Sequence, residues 1–213
     1  MHYHIISLFP KAFDSYLGES ILKRAIEDKK ITVSFYNPRD FVENKWKRVD
    51  RPPYGGGPGL VIEAEPVAKA IESAQKKAKG KAKIIFLSPR GKAFTNEYAT
   101  KTAKKYKHII LVCGRYEGID ARVKKIFKME EVSVGPFVLT GGELPAMLMI
   151  DVISRQVPGI LGNFDSIEEN RVSTGEVYTR PEVLKYKGKN YRVPKILLSG
   201  HKAKIEEWKR LQK

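Results

Sequence analysis

Apolar residues along this chain come in short runs, and the spacing inside those runs changes from segment to segment. Residues 3–8 are almost continuously apolar and stop at Phe9-Pro10, which predicts a short buried strand. Across residues 12–29 the apolar positions are Phe13, Leu17, Ile21, Leu22, Ala25 and Ile26. They are separated by threes and fours, so one amphipathic helix is predicted there. Ile31, Val33 and Phe35 alternate with polar neighbours, as in a half-buried strand. Helical spacing returns over residues 66–79 and 95–106, the second with Thr95 placed to cap it. Strands are predicted at 82–87, 108–113 and 131–134, with a helix at 121–127. Residues 143–157 read as a helix that is apolar nearly all round, through Leu144, Ala146, Met147, Leu148, Met149, Ile150, Val152 and Ile153. Such a helix has to be covered by the rest of the chain or by a partner subunit.

Strands alternating with helices predict an α/β fold with a mainly parallel sheet. Three of the predicted strands run into glycine-bearing loops, at residues 88–91, 114–118 and 135–142. Open parallel sheets bind ligands beyond the carboxyl ends of their strands. Glycine in those loops lets the main chain come close to a ligand. The expected pocket is walled by backbone N–H and C=O groups, which suits a nucleoside or an amino-acid-bearing molecule. A second notable stretch, residues 37–59, contains four prolines and four glycines and carries Trp46, Arg48, Asp50, Arg51 and Tyr54. Loops of that length inside a compact domain tend to be functional. From residue 159 to 175 the pattern dissolves into a polar linker, and residues 176–213 are short and basic, ending in a predicted helix over 201–211.

Composition sharpens this. Among 213 residues, 40 Lys and Arg face 24 Asp and Glu, a net charge of +16. The length suits one domain with a small appendage. A hydrophobic fraction of 42% supports a core and excludes wholesale disorder. The positive surplus thickens over residues 76–83, 101–107 and 185–195 and favours a polyanionic partner. No run reaches the roughly 18–20 apolar residues of a membrane span. Residues 1–6 lack the basic-then-apolar plan of a signal peptide, so a soluble, cytoplasmic protein is expected. The lone Cys113 excludes an internal disulfide and a multi-cysteine zinc site, and reads as a small buried apolar residue. No phosphate-loop, Gly-x-Ser-x-Gly or His-Glu-x-x-His pattern is present. The four histidines (His2, His4, His108, His201) lack metal-ligand spacing, so no metal is assigned to them.

Several motifs carry a resemblance. They include Gly114-Arg115-Tyr116-Glu117-Gly118-Ile119-Asp120 and Val138-Leu139-Thr140-Gly141-Gly142-Glu143-Leu144-Pro145-Ala146. Ile5-Ile6-Ser7-Leu8-Phe9-Pro10, Arg48-Val49-Asp50, Leu87-Ser88-Pro89, Pro158-Gly159-Ile160-Leu161-Gly162 and Tyr178-Thr179-Arg180-Pro181 follow in matching order. Together they resemble the bacterial tRNA (guanine-N1)-methyltransferase family, the TrmD family of the SPOUT superfamily. The resemblance implies a SPOUT-type α/β sheet with a deep trefoil knot and a small, mostly helical C-terminal domain. The implied layout is a methyltransferase domain over residues 1–160, a flexible linker over 161–175 and a basic tRNA-binding domain over 176–213. It further implies a homodimer, S-adenosylmethionine as methyl donor, and methylation of N1 of the guanosine at tRNA position 37, just 3′ of the anticodon. Magnesium dependence is suggested by the same resemblance; no DNA partner is. Methylation of another RNA position, or RNA binding without catalysis, are the alternative readings.

The same resemblance distributes roles. Donor binding falls to Leu87, Ser88, Pro89, Gly114, Tyr116, Glu117, Val134, Gly135, Pro136, Phe137, Val138, Leu139, Gly141 and Gly142. The family usually has an acid and a tyrosine where this chain has Pro136 and Phe137. Asp50, Arg48, Arg115 and Arg180 fall on the RNA-facing side. Removing the guanine N1 proton needs a general base within hydrogen-bonding reach. The family uses a linker aspartate assisted by an arginine, which matches Arg155 here. The aspartate position falls on Asn170 when counted forward from Ser166, and on Asp165 when counted back from Tyr178. Glu169 and Asp165 are therefore rival candidates for the base, with Glu168 between them.

Overall fold

In the computed structural model, residues 1–79, 82–161 and 176–211 are described. The chain divides into two compact units, Met1–Leu161 and Gly162–Lys213. In the first unit the strands are β1 (His2–Ile6), β2 (Thr32–Tyr36), the short β3 (Asp50–Arg51) and β4 (Val61–Ile62), β5 (Ala82–Ala93), β6 (His108–Val112) and β7 (Glu130–Ser133). The helices are α1 (Asp14–Leu17), α2 (Ser20–Glu27), α3 (Ala64–Ala78), α4 (Asn96–Lys105), α5 (Arg122–Ile126) and α6 (Glu143–Ser154). Five strands form a parallel sheet in the order β2-β1-β6-β5-β7.

The alternation of side chains across each strand builds two cores, one per face. Tyr3 and Ile5, Ile109 and Leu111, and Ile85 and Leu87 face α6, where Ala146, Met149, Ile150 and Ile153 are buried. Ile6, Ile110, Val112 and Ile84 face the other way, onto Val67, Ala70, Ile71 and Ala74 of α3. Tyr3 is wholly buried, and its hydroxyl bonds Ser154 Oγ at 2.9 Å, so the polar tip is satisfied at the end of α6.

Four expectations need correction. The single helix over residues 12–29 is broken: Gly18 closes α1, Glu19 is extended, and α2 begins at Ser20. Residues 88–91 are not a strand-end loop. Leu87 and Lys92 both pair with Val132, so these residues are looped out of β5, which then runs on to Ala93. Residues 37–59 hold a 3-10 turn (Pro38–Phe41) and β3, which pairs antiparallel with β4. The histidines form a group despite their sequence spacing. His2 and His4 share one face of β1, and the β1–β6 register sets His108 opposite His2. Burial, then the neighbouring His2, His108 and Lys77, push His4 down to about 3, so it is a neutral imidazole at physiological pH.

The second unit contains a hairpin of β8 (Val183–Tyr186) and β9 (Lys189–Arg192), followed by α7 (Lys195–Leu198) and α8 (Lys202–Leu211). The hairpin adds strand to a segment expected to be mostly helical. Its two-residue turn, Lys187-Gly188, has positive φ at both positions, as tight hairpins require. Most of the 161–175 linker lies outside the described residues. Among the described residues, no helix is long and apolar enough to cross a membrane.

The β5–β7 pairing carries a testable acid sensitivity. Glu130 on β7 pairs with Lys83 on β5 and accepts from the Tyr98 hydroxyl at 3.2 Å. Burial alone would raise its pKa, but Lys83, Tyr98 and Lys92 outweigh that and hold the carboxyl below its ordinary 4.5. The unfolded chain therefore takes up this proton first. The stabilisation is complete above the ordinary value and is lost as pH falls below it. In urea unfolding from neutral pH to about pH 3, Glu130→Gln is expected to remove on the order of 0.5–1 kcal/mol of the wild-type loss. An unchanged pH slope in the variant would contradict this.

Candidate active site

The carboxyl ends of β6 and β7 and the looped-out stretch of β5 open into one cavity of about 650 Å³. Leu87 comes from β5 where the strand leaves the sheet, and Ser88 and Pro89 from its looped-out stretch. Gly114, Arg115, Tyr116 and Glu117 come from the loop after β6. Val134, Gly135, Phe137, Val138, Leu139, Gly141 and Gly142 come from the loop after β7. Thirteen of the fourteen residues assigned to the donor thus line a single cavity; Pro136 is the one that does not.

Main-chain contacts draw the loops together. Gly142 N–H donates to Gly114 C=O at 2.9 Å, and Arg115 and Gly141 form an isolated antiparallel bridge. The approach leaves no room for a side chain at Gly142, where a Cβ would lie 2.6 Å from Cys113 Cα. The same holds at Gly91, where a Cβ would lie 2.4 Å from the Val132 nitrogen.

A charged network not anticipated from the sequence fixes the rim. Glu143, at the start of α6, is buried. It accepts from Ser7 Oγ at 2.7 Å and from Arg115 Nε at 2.8 Å. Arg115 also donates to Thr140 C=O and lies 4.8 Å above the Phe9 ring. The carboxylate sits at a helix N-terminus, where negative charge is favoured. The only sequence signal for it was an acid directly after the Gly141-Gly142 pair. Cys113, beside this network, is no nucleophile: burial, then the Glu143 charge, raise its thiol pKa, although Arg115 opposes them.

The residues just after the long loop are docked on the same rim. Glu117 N–H donates to Leu60 C=O, Ile62 N–H to Gly118 C=O, and Asp120 N–H to Ile62 C=O, at 2.9–3.0 Å. Asp50 is buried on β3, opposite Ile62, while Arg48 is exposed and donates to the Asp50 carbonyl. Trp46 and Tyr54 stand exposed. Arg155 caps the far end of α6, about 20 Å along the helix from Gly142 at 1.5 Å per residue, so this chain does not bring it to its own cavity. Arg180 is exposed in the second unit. Asp165 and Glu169 lie outside the described residues.

A parallel sheet with a main-chain-walled cavity beyond three neighbouring strands places the chain among α/β proteins that bind a small ligand at the carboxyl edge of the sheet. A profile of the tRNA (Guanine-1)-methyltransferase TrmD family matches residues 1–213. A tRNA (guanine-N(1)-)-methyltransferase of Photobacterium profundum is 44% identical over 209 residues, 96% of this chain and 82% of the relative. One from Campylobacter jejuni subsp. doylei is 45% identical over 213 residues, 98% of this chain and 90% of the relative. One from Desulforamulus reducens is 42% identical over 217 residues, covering 100% and 84%. The chain belongs to the tRNA (guanine-1)-methyltransferase family.

The glycine contacts rank three substitutions. Gly142→Ala and Gly91→Ala push a methyl into main chain, whereas the nearest atom to a Cβ at Gly114 is 3.9 Å away, ordinary contact. The first two are expected to cost roughly 1–3 kcal/mol in denaturant unfolding and Gly114→Ala under about 1 kcal/mol. Equal costs for all three would contradict the close approach.

Proposed function

We propose that the protein transfers a methyl group from S-adenosylmethionine to N1 of the guanosine at tRNA position 37. The observation that carries this reading is the gathering of the donor-assigned residues of a family member around one cavity of about 650 Å³. That volume lies within the range for ligands of this size, and main-chain groups from three loops are placed to pair with nucleoside edges. The donor, when bound, supplies an already activated methyl. The chain's own task is then mainly positioning. Val138 and Leu139 offer apolar walls, Ser88 and the loop main chain offer polar partners, and Glu117 offers a carboxylate for an ammonium or a base edge. The deep trefoil knot belongs to this reading and rests on membership of the family.

The working unit is a homodimer. α6 buries Ala146, Met149 and Ile150 in its own core yet leaves Leu144 58% and Leu148 39% exposed, an apolar face that a second copy would cover. A second copy would also bring an Arg155 to each cavity, which the length of α6 denies it within one chain. Asp165 or Glu169 takes the N1 proton, and Arg155 assists.

tRNA engages two basic surfaces. Trp46 and Tyr54 present stacking faces beside Lys45, Lys47, Arg48 and Arg51. Residues 176–213 form the tRNA-binding domain, presenting Arg180 ahead of the exposed hairpin and Lys185, Lys187, Lys189 and Arg192 along it to phosphates. A cytoplasmic setting follows from that substrate. Magnesium dependence draws no support from the described residues, whose one cluster of three metal-competent side chains is all histidine.

With unmodified tRNA and S-adenosylmethionine, the product is expected to be N1-methylguanosine, and tRNA carrying adenosine at position 37 is expected to give none. Arg155→Ala, and one of Asp165→Asn and Glu169→Gln, are expected to lower kcat by about 10²- to 10⁴-fold with donor affinity kept. Donor binding by calorimetry without methyl transfer would overturn the catalytic reading. Full activity in both acid variants would remove the linker base.

A further inference from the structure

The amino edge of the sheet, opposite the cavity, holds a group of side chains that the methyltransferase reading does not use. His2, His4 and His108 each offer a ring nitrogen, and the three atoms lie within 4.8 Å of one another. A His-x-His pair on one strand with a third histidine on the neighbouring strand sets three rings side by side, His2 stacked on His4 with centroids 4.0 Å apart and His4 on His108 at 5.4 Å. His4 Nε2 and His108 Nδ1 are 3.1 Å apart. The two are hydrogen-bonded to each other; ligand nitrogens on a tetrahedral zinc are about 3.3 Å apart for Zn–N bonds near 2.0–2.1 Å, so the spacing suits the metal once the shared proton is released and the stacked rings turn toward it.

The outer contacts point the rings inward. His4 Nδ1 is bonded to the Tyr36 hydroxyl at 3.0 Å, which leaves Nε2 directed at the group. His2 Nε2 is bonded to Ser34 Oγ at 3.0 Å, which leaves Nδ1 as its ligand atom. Hydrogen bonds on the remote ring nitrogen are how proteins orient metal-binding histidines. His4 is fully buried, while His2 and His108 are half-buried, so solvent can reach a fourth coordination position. Lys77, which donates to Ser34 Oγ at 3.3 Å, is a nearby positive charge that weakens binding of a cation.

We propose that His2, His4 and His108 form a transition-metal site that joins β1 to β6. The donor set is three neutral imidazole nitrogens with no carboxylate. It therefore takes zinc, cobalt, nickel or copper and rejects magnesium and calcium. Its place at the amino ends of the strands, away from the cavity, makes the bound ion a structural clamp.

The test uses the full, untagged chain stripped with chelator. Zinc chloride in calorimetry is expected to give about one equivalent per chain, and cobalt(II) the intense visible absorption of a tetrahedral site. Zinc is expected to raise the melting temperature and magnesium to leave it unchanged. His108→Gln and His4→Gln are each expected to lower zinc affinity about 10- to 100-fold. His201→Gln, on the exposed histidine of the second unit, is expected to bind as wild type. The cobalt spectrum of the unmodified chain decides independently of whether His4→Gln folds. No stoichiometric zinc binding, an octahedral cobalt spectrum, or equal affinity in wild type and His108→Gln would overturn the proposal.

Discussion

One buried carboxylate organises the working edge of the sheet. Glu143 opens α6, Ser7 follows β1 and Arg115 follows β6, and the three meet in one hydrogen-bonded group. A buried charge is costly unless its oxygens are matched, and here both are: Oε1 by a hydroxyl, Oε2 by a guanidinium. Removing either partner would leave the carboxylate under-satisfied, so the loops after β1, β6 and β7 are held in one arrangement. The cavity's shape rests on that constraint, because much of its wall is the main chain of those loops.

Glycine completes what Glu143 begins. The contact between residues 142 and 113–114 and that between 91 and 131–132 are main chain against main chain. In one case this seats the start of α6 on the end of β6; in the other it lets β5 loop out and rejoin β7 in register. Each is a local departure from regular sheet geometry at the edge where the ligand would sit.

Much of this was legible in the sequence. Continuous apolar runs such as Ile109 to Cys113 marked strands buried on both faces, and glycine clusters marked the loops that meet at the cavity. Thr95 caps α4 as its position suggested, accepting from Tyr98 N–H. What failed had physical reasons. Helical spacing runs on through residues 12–29, so periodicity could not see that Gly18 and Glu19 leave the helix. The stretch after Leu87 resembles an ordinary turn, because Ser-Pro-Arg-Gly says nothing of the strand resuming beyond it. The hairpin at 183–192 carries three lysines and Arg192 on an exposed ribbon, so no apolar alternation announces it. The histidine group joins positions more than a hundred residues apart, and only strand pairing reveals it. The match of Arg155 to a family arginine gave no hint that a whole helix separates it from the cavity of its own chain.

The docking of Leu60 and Ile62 against residues 117–120 reaches beyond loop geometry. These bonds tie β4 and Leu60, which follow the segment that displays Trp46 and Tyr54, to the loop after β6 that lines the cavity. Interaction energies between two sites are reciprocal. Any change of affinity carried across this seam acts equally in both directions, and the order in which two molecules arrive sets the route but not the final strength of their joint complex.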